Sequence, residues 1–310
     1  MGKTLPNIVT DDSTVNVNHA ASGHWTTGAL LRGNVASTIG TTTVQEPLRC
    51  LPRLEVSMLL AHVLNCRRES LIAHPERTLS PVESAAFADL VRQRLDGMPI
   101  AYLTRSREFY GISLEINPSV LIPRPETELL VETVLQRLSH QRKVKILDLG
   151  TGSGAIAIAL ASNLPLAVVE AVDQSDAALE VARRNIARHR LTNVDVHAAD
   201  WYSGVTGEPF DVIVSNPPYV READPHLHQG DVRFEPRVAL TSGRDGLAAI
   251  RAIAAGAPSR LKDGAALLVE HGHDQGDAVR GIFIAAGLTA IETLRDLAGH
   301  DRVCVGSRRR

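Results

Sequence analysis

Residues Asn216, Pro217, Pro218 and Tyr219 follow directly on the apolar run 210–215, setting a primary amide, two imino acids and a phenol at the end of a buried strand. Proline cannot donate to a sheet ladder and fixes its own φ, so this pair ends the strand and stiffens the loop behind it. Asn216 brings one acceptor and two donors, Pro217 a carbonyl, and Tyr219 a flat aromatic face. Such a set suits a planar amide or amino group. The Asn216 side-chain oxygen and the Pro217 carbonyl would accept from its NH2, and Tyr219 would pack against it and limit its tilt. A rigid strand-to-loop turn could use the same four residues, so the surrounding sequence decides.

Three further strand ends carry ligand-type groups. The stretch 143–149 runs into Gly150-Thr151-Gly152-Ser153-Gly154, where glycines let a backbone approach a bound molecule. Gly150, Gly152 and Ala155 also satisfy the dinucleotide pattern G-x-G-x-x-G/A, so glycines alone do not choose between a nicotinamide cofactor and another adenosine-bearing one. A strand over 167–172 ends in Asp173, able to accept from both hydroxyls of a ribose, and one over 194–199 ends in Asp200 and Trp201, suited to an adenine edge and face. Asp173 and Asp200 could instead cap helices, and Trp201 could fill a core. Four such strand ends in succession point to one ligand site, because ligands of open α/β sheets collect beyond the carboxyl ends of the strands.

The elements that would hold these ends in a row can be read around them. From Arg124 onward helix and strand patterns alternate, with helices over 125–140 and 246–261, an apolar face of Leu179, Ala182 and Ile186, and a buried strand over 264–270. This alternation predicts a parallel sheet covered on both faces. A final strand is expected at 302–305, and the alternating, turn-bearing stretch 98–123 predicts a hairpin linker. Upstream, Val56, Leu59, Leu60, Val63 and Leu64 fall at helical spacing. A second helix starts with Ser80 as N-cap, Pro81 at the first helical position and Glu83 closing a capping box. Phe87, Leu90, Val91 and Leu95 form its apolar stripe and Gly97 ends it. A small helical bundle over 47–97 is therefore expected. Residues 1–46 are rich in Thr, Ser, Asn and Gly without apolar periodicity and are expected to be a disordered extension. A transit peptide or a start assigned too far upstream are the alternatives.

Composition fits a two-domain enzyme: the chain has 310 residues, 44% of them apolar, which is enough for ordinary packing. A formal net charge of -2 gives no global basic field for nucleic acid. Cys50, Cys66 and Cys304 are widely spaced and lack metal spacing, as suits a reducing cytoplasm. His226-x-His228 and His271-x-His273 have no third ligand type beside them, so no metal is expected. No stretch has the length of a membrane span or the pattern of a secretory leader, and the protein is expected in the cytoplasm.

Together the four strand ends resemble the class I S-adenosylmethionine-dependent methyltransferases that modify planar nitrogen. Within that class, three upstream blocks are similar to the signature of the peptide chain release factor glutamine methyltransferases: Gly97-Met98-Pro99-Ile100-Ala101-Tyr102-Leu103, Glu108-Phe109-Tyr110-Gly111, and Val120-Leu121-Ile122-Pro123-Arg124-Pro125-Glu126-Thr127-Glu128. Downstream, Phe234-Glu235-Pro236, Ala239-Leu240 and Gly243-Arg244-Asp245-Gly246-Leu247 also match. The resemblance covers about residues 50–308. It departs from the family at Thr104-Arg105-Ser106-Arg107, where a glycine in a less basic stretch is usual, and this bears on the shape of the hairpin.

The resemblance implies an α/β fold of the class I methyltransferase type, with a doubly wound, mostly parallel seven-stranded sheet whose last strand is antiparallel. It implies a helical substrate-recognition domain over 47–97, a β-hairpin over 98–123 and a methyltransferase domain over 124–310. The implied activity is transfer of a methyl group from S-adenosylmethionine to the side-chain amide nitrogen of the glutamine in the Gly-Gly-Gln motif of class 1 peptide chain release factors. S-Adenosylhomocysteine is the product. Cofactor binding falls to Gly150, Thr151, Gly152, Ser153, Gly154, Asp173, Trp201 and Asn216, and catalysis to Asn216, Pro217 and Tyr219. Substrate binding falls to Asn216, Pro217, Pro218 and Tyr219. The expected partner is a release factor, with no direct nucleic acid, no membrane and a monomeric chain. Three other readings stand beside it: glutamine methylation of a ribosomal protein, methylation of an exocyclic amino group on a flipped base, and a non-catalytic binding module that keeps the fold.

Overall fold

The computed structural model describes residues 25–32, 51–138 and 142–310. The chain divides into two compact units, Met1–Leu95 and Asp96–Arg310.

In the first unit, helix α1 (Thr27–Arg32), α2 (Arg53–Val63), α3 (Arg68–Ala73) and α4 (Pro81–Leu95) surround a small apolar centre. Val56, Leu59, Leu60 and Leu64 are buried as their spacing requires, and meet Phe87 and Val91 from α4. Leu95, assigned to that stripe, is instead 41% exposed, because it lies in the last turn of the helix. The Arg94 guanidinium forks onto the Glu55 carboxylate at 2.8 and 3.1 Å and pins α4 to α2. The capping box forms as written. The Ser80 N–H donates to Glu83 at 2.8 Å and the Glu83 N–H to the Ser80 hydroxyl at 3.3 Å, which holds the Glu83 carboxyl below its usual range. Ser80→Ala is expected to cost about 1 kcal/mol, read as a lower thermal midpoint by circular dichroism.

Most of the expected extension 1–46 lies outside the described residues, but residues 25–32 do not behave as one. Leu30 is buried, the Thr27 hydroxyl donates to the His74 carbonyl at 2.6 Å, and the Trp25 ring meets Phe87 edge-on at 6.4 Å. A six-residue helix is too short to show apolar periodicity, so its pattern was lost among polar neighbours. Removing residues 1–45 should accordingly lower the thermal midpoint of the chain, and an unchanged melt would show that these contacts add nothing.

The second unit opens with α5 (Ile100–Thr104) and the antiparallel pair β1 (Ser106–Phe109) and β2 (Ile112–Glu115). Tyr110 and Gly111 both take positive φ, +51° and +71°, which is the turn that matches the twist of a tight hairpin. Arg105, in the stretch that departs from the family, is held in the left-handed region at φ +53°, a conformation that glycine reaches without a Cβ clash. The hairpin is more than a connector. Tyr102, Phe109, Leu114, Ile116, Val120 and Ile122 are buried in the same core cluster as the sheet.

That sheet has seven strands, β3 (Lys145–Leu149), β4 (Val168–Asp173), β5 (Val194–Ala198), β6 (Phe210–Ser215), β7 (Leu261–Glu270), β8 (Thr289–Arg295) and β9 (Asp301–Ser307), in the order β5-β4-β3-β6-β7-β9-β8. Strands β3 to β7 pair in parallel, and β9 runs antiparallel to both β7 and β8. Helix α6 (Glu128–Arg137) precedes β3, and α7 (Ala155–Asn163), α8 (Asp176–Arg188), α9 (Ala248–Arg260) and α10 (Gly276–Ala285) cross between successive strands. Residues 146, 147, 149, 213 and 214 are fully buried, as central parallel strands demand. β8 went unread in the sequence because an edge strand keeps polar side chains such as Thr289, Glu292 and Thr293. Strand order reverses between β3 and β6, so the carboxyl ends of these neighbours open onto one crevice.

Candidate active site

β3 ends in the glycine loop, whose three glycines all take positive φ: +71° at Gly150, +56° at Gly152 and +82° at Gly154. A Cβ at Gly152 would meet no atom within 4 Å, so the backbone there borders open space, while one at Gly154 would press on Ile158 at 3.1 Å. Gly152 therefore faces the cleft and Gly154 serves the packing of α7 on α8. The loop is fastened from below. The Gly150 and Thr151 N–H groups both donate to the Val172 carbonyl at 2.9 Å, and the Thr151 hydroxyl donates to Asp148 at 2.7 Å. Asp148 is fully buried, which pushes its carboxyl up to about 7, and its other oxygen has no partner. Asn185 on α8 adds a clasp: it accepts from the Glu115 N–H at 2.6 Å and donates to the Ser153 carbonyl at 2.9 Å, tying hairpin to glycine loop.

The neighbouring strand ends complete the wall. Asp173 accepts from the Gly152 N–H and from the Ser175 N–H, each at 2.9 Å, and burial raises its carboxyl above the usual range against those bonds. Trp201, at φ +50°, turns its ring toward the loop, where its edge lies 3.8 Å from the position of a Cβ on Gly150. Asp200 and Trp201 both line the cleft.

Opposite stands Asn216, at the end of β6. Its Nδ2 donates to the Thr127 hydroxyl at 2.9 Å, and its Oδ1 is enclosed with no partner. A buried acceptor left unpaired costs on the order of 1–3 kcal/mol and calls for an explanation. The loop behind it is laced to the segment after 239: the Val220 N–H donates to Leu240 at 2.8 Å and the Ser242 N–H to Val220 at 3.0 Å. Gly246 lies against the Tyr219 carbonyl so closely that a Cβ would come within 2.3 Å of it, and Gln275 donates to that same carbonyl at 3.0 Å. The Tyr219 hydroxyl donates to Glu270 at 3.1 Å. Two distant sequence blocks also meet here. Arg124 pairs with the fully buried Glu235 carboxylate at 2.5 Å, which also accepts from the Ile122 N–H at 3.2 Å, and this fixes the turn that carries Thr127.

Of the residues singled out by sequence, Gly150, Thr151, Gly152, Ser153, Asp173, Trp201, Asn216 and Pro218 line one cleft. Gly154, Pro217 and Tyr219 stand behind it; Pro217 is buried, and the Tyr219 ring packs on the apolar cluster around Leu247 and Ile250. Sequence reasoning missed Thr127 and the cleft wall at Val120, Leu121, Val238 and Ala239, and also Glu270, which receives the Tyr219 hydroxyl behind the cleft. Thr127 lay inside a quoted block and Glu270 at the end of a recognised strand, so the signal was their position at a strand end or turn, not their type. Among the described residues no group of three His, Cys, Asp or Glu side chains is placed to hold a metal, and no helix is long and apolar enough to cross a membrane.

Comparison with known proteins adds a second line of observation. The PrmC N-terminal domain family matches residues 50–104 and the methyltransferase small domain family residues 125–231. Release factor glutamine methyltransferase of Xylella fastidiosa (strain Temecula1 / ATCC 700964) is 49% identical over 256 residues, covering 83% of this chain and 93% of that protein. The chain belongs to the release factor glutamine methyltransferase family. Members from Bordetella pertussis and Escherichia coli K12 are 50% and 46% identical, over 83% and 82% of this chain and 95% and 92% of theirs. A methyltransferase crystal structure from Pyrococcus furiosus, 19% identical, superposes with a TM-score of 0.50 over 71% of this chain and 98% of that one, and speaks to the fold alone. At 104–107, where the sequence departs from the family, the hairpin forms with Arg105 in the left-handed region.

Proposed function

We propose that this chain methylates the side-chain amide nitrogen of the glutamine in the Gly-Gly-Gln motif of class 1 release factors, using S-adenosylmethionine. The observation that carries the reading is Asn216 Oδ1, a buried acceptor without a partner beside a glycine-lined cleft. An amide NH2 is the complementary donor.

The residues present fit the cofactor. Open space over Gly152, the Asp173 carboxylate and the Trp201 ring suit a backbone-hugging chain, a ribose and an adenine in that order. Both Asp173 oxygens already accept one loop N–H, which leaves a lone pair on each for a ribose hydroxyl. When bound, the cofactor supplies an electrophilic methyl group on a sulfonium. Everything else falls to the protein. An amide nitrogen is a weak nucleophile, its lone pair being delocalised, so the site must hold it in line, and holding two reactants in attack geometry can supply about 7–11 kcal/mol. Asn216 Oδ1 and the Pro217 carbonyl would accept from the substrate NH2, favouring the nitrogen as positive charge grows on it. Pro218 lines the approach, and Tyr219 limits the tilt of the amide from behind. The first unit would grip the release factor, and the enzyme would work where release factors do, in the cytoplasm.

Incubation with methyl-labelled S-adenosylmethionine and separate pools of release factors, ribosomal proteins and nucleic acid tests this. Label should enter a release factor at the Gly-Gly-Gln glutamine. Label confined to either other pool would overturn the substrate assignment.

A further inference from the structure

We propose that Thr127 is a positioning residue that holds the plane of the Asn216 side-chain amide, so that Oδ1 stays aimed at the substrate nitrogen. The inference rests on the reading of Asn216 as the acceptor for that nitrogen.

The need for such a residue follows from asparagine itself. Its χ2 is a torsion between a tetrahedral and a planar carbon, with a broad and roughly two-fold profile, so a well-placed backbone still leaves the amide free to swing. A working group has to be held within about 10–20° of its productive geometry, and that takes a contact to the amide itself. β6 fixes only the backbone. Its last residue, Ser215, pairs with Leu149 and Val269, and the Ser215 hydroxyl donates to the Leu149 carbonyl at 2.7 Å, which places the Asn216 Cα and says nothing of the torsion beyond Cβ. Thr127 supplies the missing restraint. Among the described residues, the Asn216 amide makes one side-chain hydrogen bond, from Nδ2 to the Thr127 hydroxyl at 2.9 Å, while Oδ1 is enclosed and makes none. Both residues line the cleft, so the bond lies at the site and not behind it.

A restraint is only as good as its anchor, and Thr127 is anchored on both sides. It is 3% exposed and closes the short helical turn Pro125–Thr127, its N–H donating to the Arg124 carbonyl at 3.1 Å. Before it, the Arg124 side chain meets the buried Glu235 carboxylate at 2.5 Å. After it, Glu128 accepts from the Tyr110 N–H at 2.8 Å, at the tip of the hairpin. Two segments far off in sequence thus hold the one residue that holds Asn216. The residue type adds to this, because two heavy atoms on the threonine Cβ restrict χ1 and leave the hydroxyl few directions to take. A packing role would be served as well by valine, which has the same shape, and that difference sets the test.

Thr127→Val keeps the shape and removes the acceptor, so kcat on release factor should fall about 10- to 100-fold, the scale of a reactant held slightly out of place, with KM for S-adenosylmethionine little changed. Thr127→Ser keeps the hydroxyl and should restore most of the rate. The double variant Thr127→Val with Asn216→Ala should be no slower than Asn216→Ala alone, since side chains that act through one another do not add. A readout independent of turnover is the pair of Asn216 side-chain NH2 resonances, assigned by their loss in Asn216→Ala. They should move in Thr127→Val and stay near the parent positions in Thr127→Ser. Parent-like kcat in Thr127→Val, losses that add in the double variant, or NH2 resonances that do not move would each overturn the proposal. Should Thr127→Val not fold, Thr127→Ala takes its place in the same comparisons. Failure of the parent to label release factor would sink the functional reading instead, and the NH2 resonances would still decide whether Thr127 holds Asn216.

Discussion

Asn216→Ala should abolish most turnover while leaving cofactor affinity nearly intact. The substitution removes the enclosed Oδ1 and nothing that the glycine loop or Asp173 needs, since neither bonds to Asn216. Losing a hydrogen bond that strengthens as charge develops commonly costs about 2.7–4 kcal/mol, or roughly a hundred- to a thousandfold in rate. The Thr127 hydroxyl also loses its donor, a single hydrogen bond worth about 0.5–1.5 kcal/mol, so the fold should survive. Asn216→Asp sharpens the result. It keeps an oxygen on the substrate side, yet replaces the Nδ2 donor to Thr127 with a second oxygen and adds negative charge to the site. Single-turnover rates with release factor, alongside calorimetric titration with S-adenosylhomocysteine, separate the two effects. Methylation by Asn216→Ala at near the parent rate would remove the centre of the proposed mechanism.

Strand ends were easy to read because each is marked twice, by an apolar run that must be buried and by a residue that cannot continue it. Gly150, Asp173, Trp201 and Asn216 meet in one cleft for that reason. The capping box at Ser80 was legible because its partners lie three residues apart. What stayed hidden was long-range and polar. Arg124 and Glu235 were each noticed in their own blocks, but their pairing across 111 residues is a property of the folded topology. The Asn216–Thr127 bond spans 89 residues and Tyr219–Glu270 spans 51, and no local pattern announces either. Tyr219 shows the limit from the other side: its residue type suggested a face for the substrate, whereas packing against Leu247 and Ile250 and a bond to Glu270 place it behind the cleft. The first-unit helix α1 was missed because six residues carry too little periodicity to stand out.

Asp173→Ala should weaken cofactor binding about a hundredfold or more without unfolding the chain, since a charged acceptor contributes about 1.5–3 kcal/mol to each hydrogen bond it makes. The structure adds a second cause to that expectation. Asp173 holds the Gly152 N–H at 2.9 Å, so its loss also frees the one loop glycine that borders open space. Part of the lost affinity would then come from a loop no longer held in shape. Asp173→Asn tells the two apart: its single oxygen can keep one backbone bond, while the charge that a ribose would feel is gone. If charge dominates, Asn should bind nearly as poorly as Ala; if loop order dominates, Asn should recover most of the affinity. The pH dependence gives an independent check. Burial raises the Asp173 carboxyl above its ordinary value, and only the ionised form accepts from two ribose hydroxyls. Affinity for S-adenosylhomocysteine should therefore hold at higher pH and decline as pH falls through that raised pKa, in the parent and not in Asp173→Asn. Unchanged affinity in a folded Asp173→Ala protein would take the ribose away from Asp173 altogether.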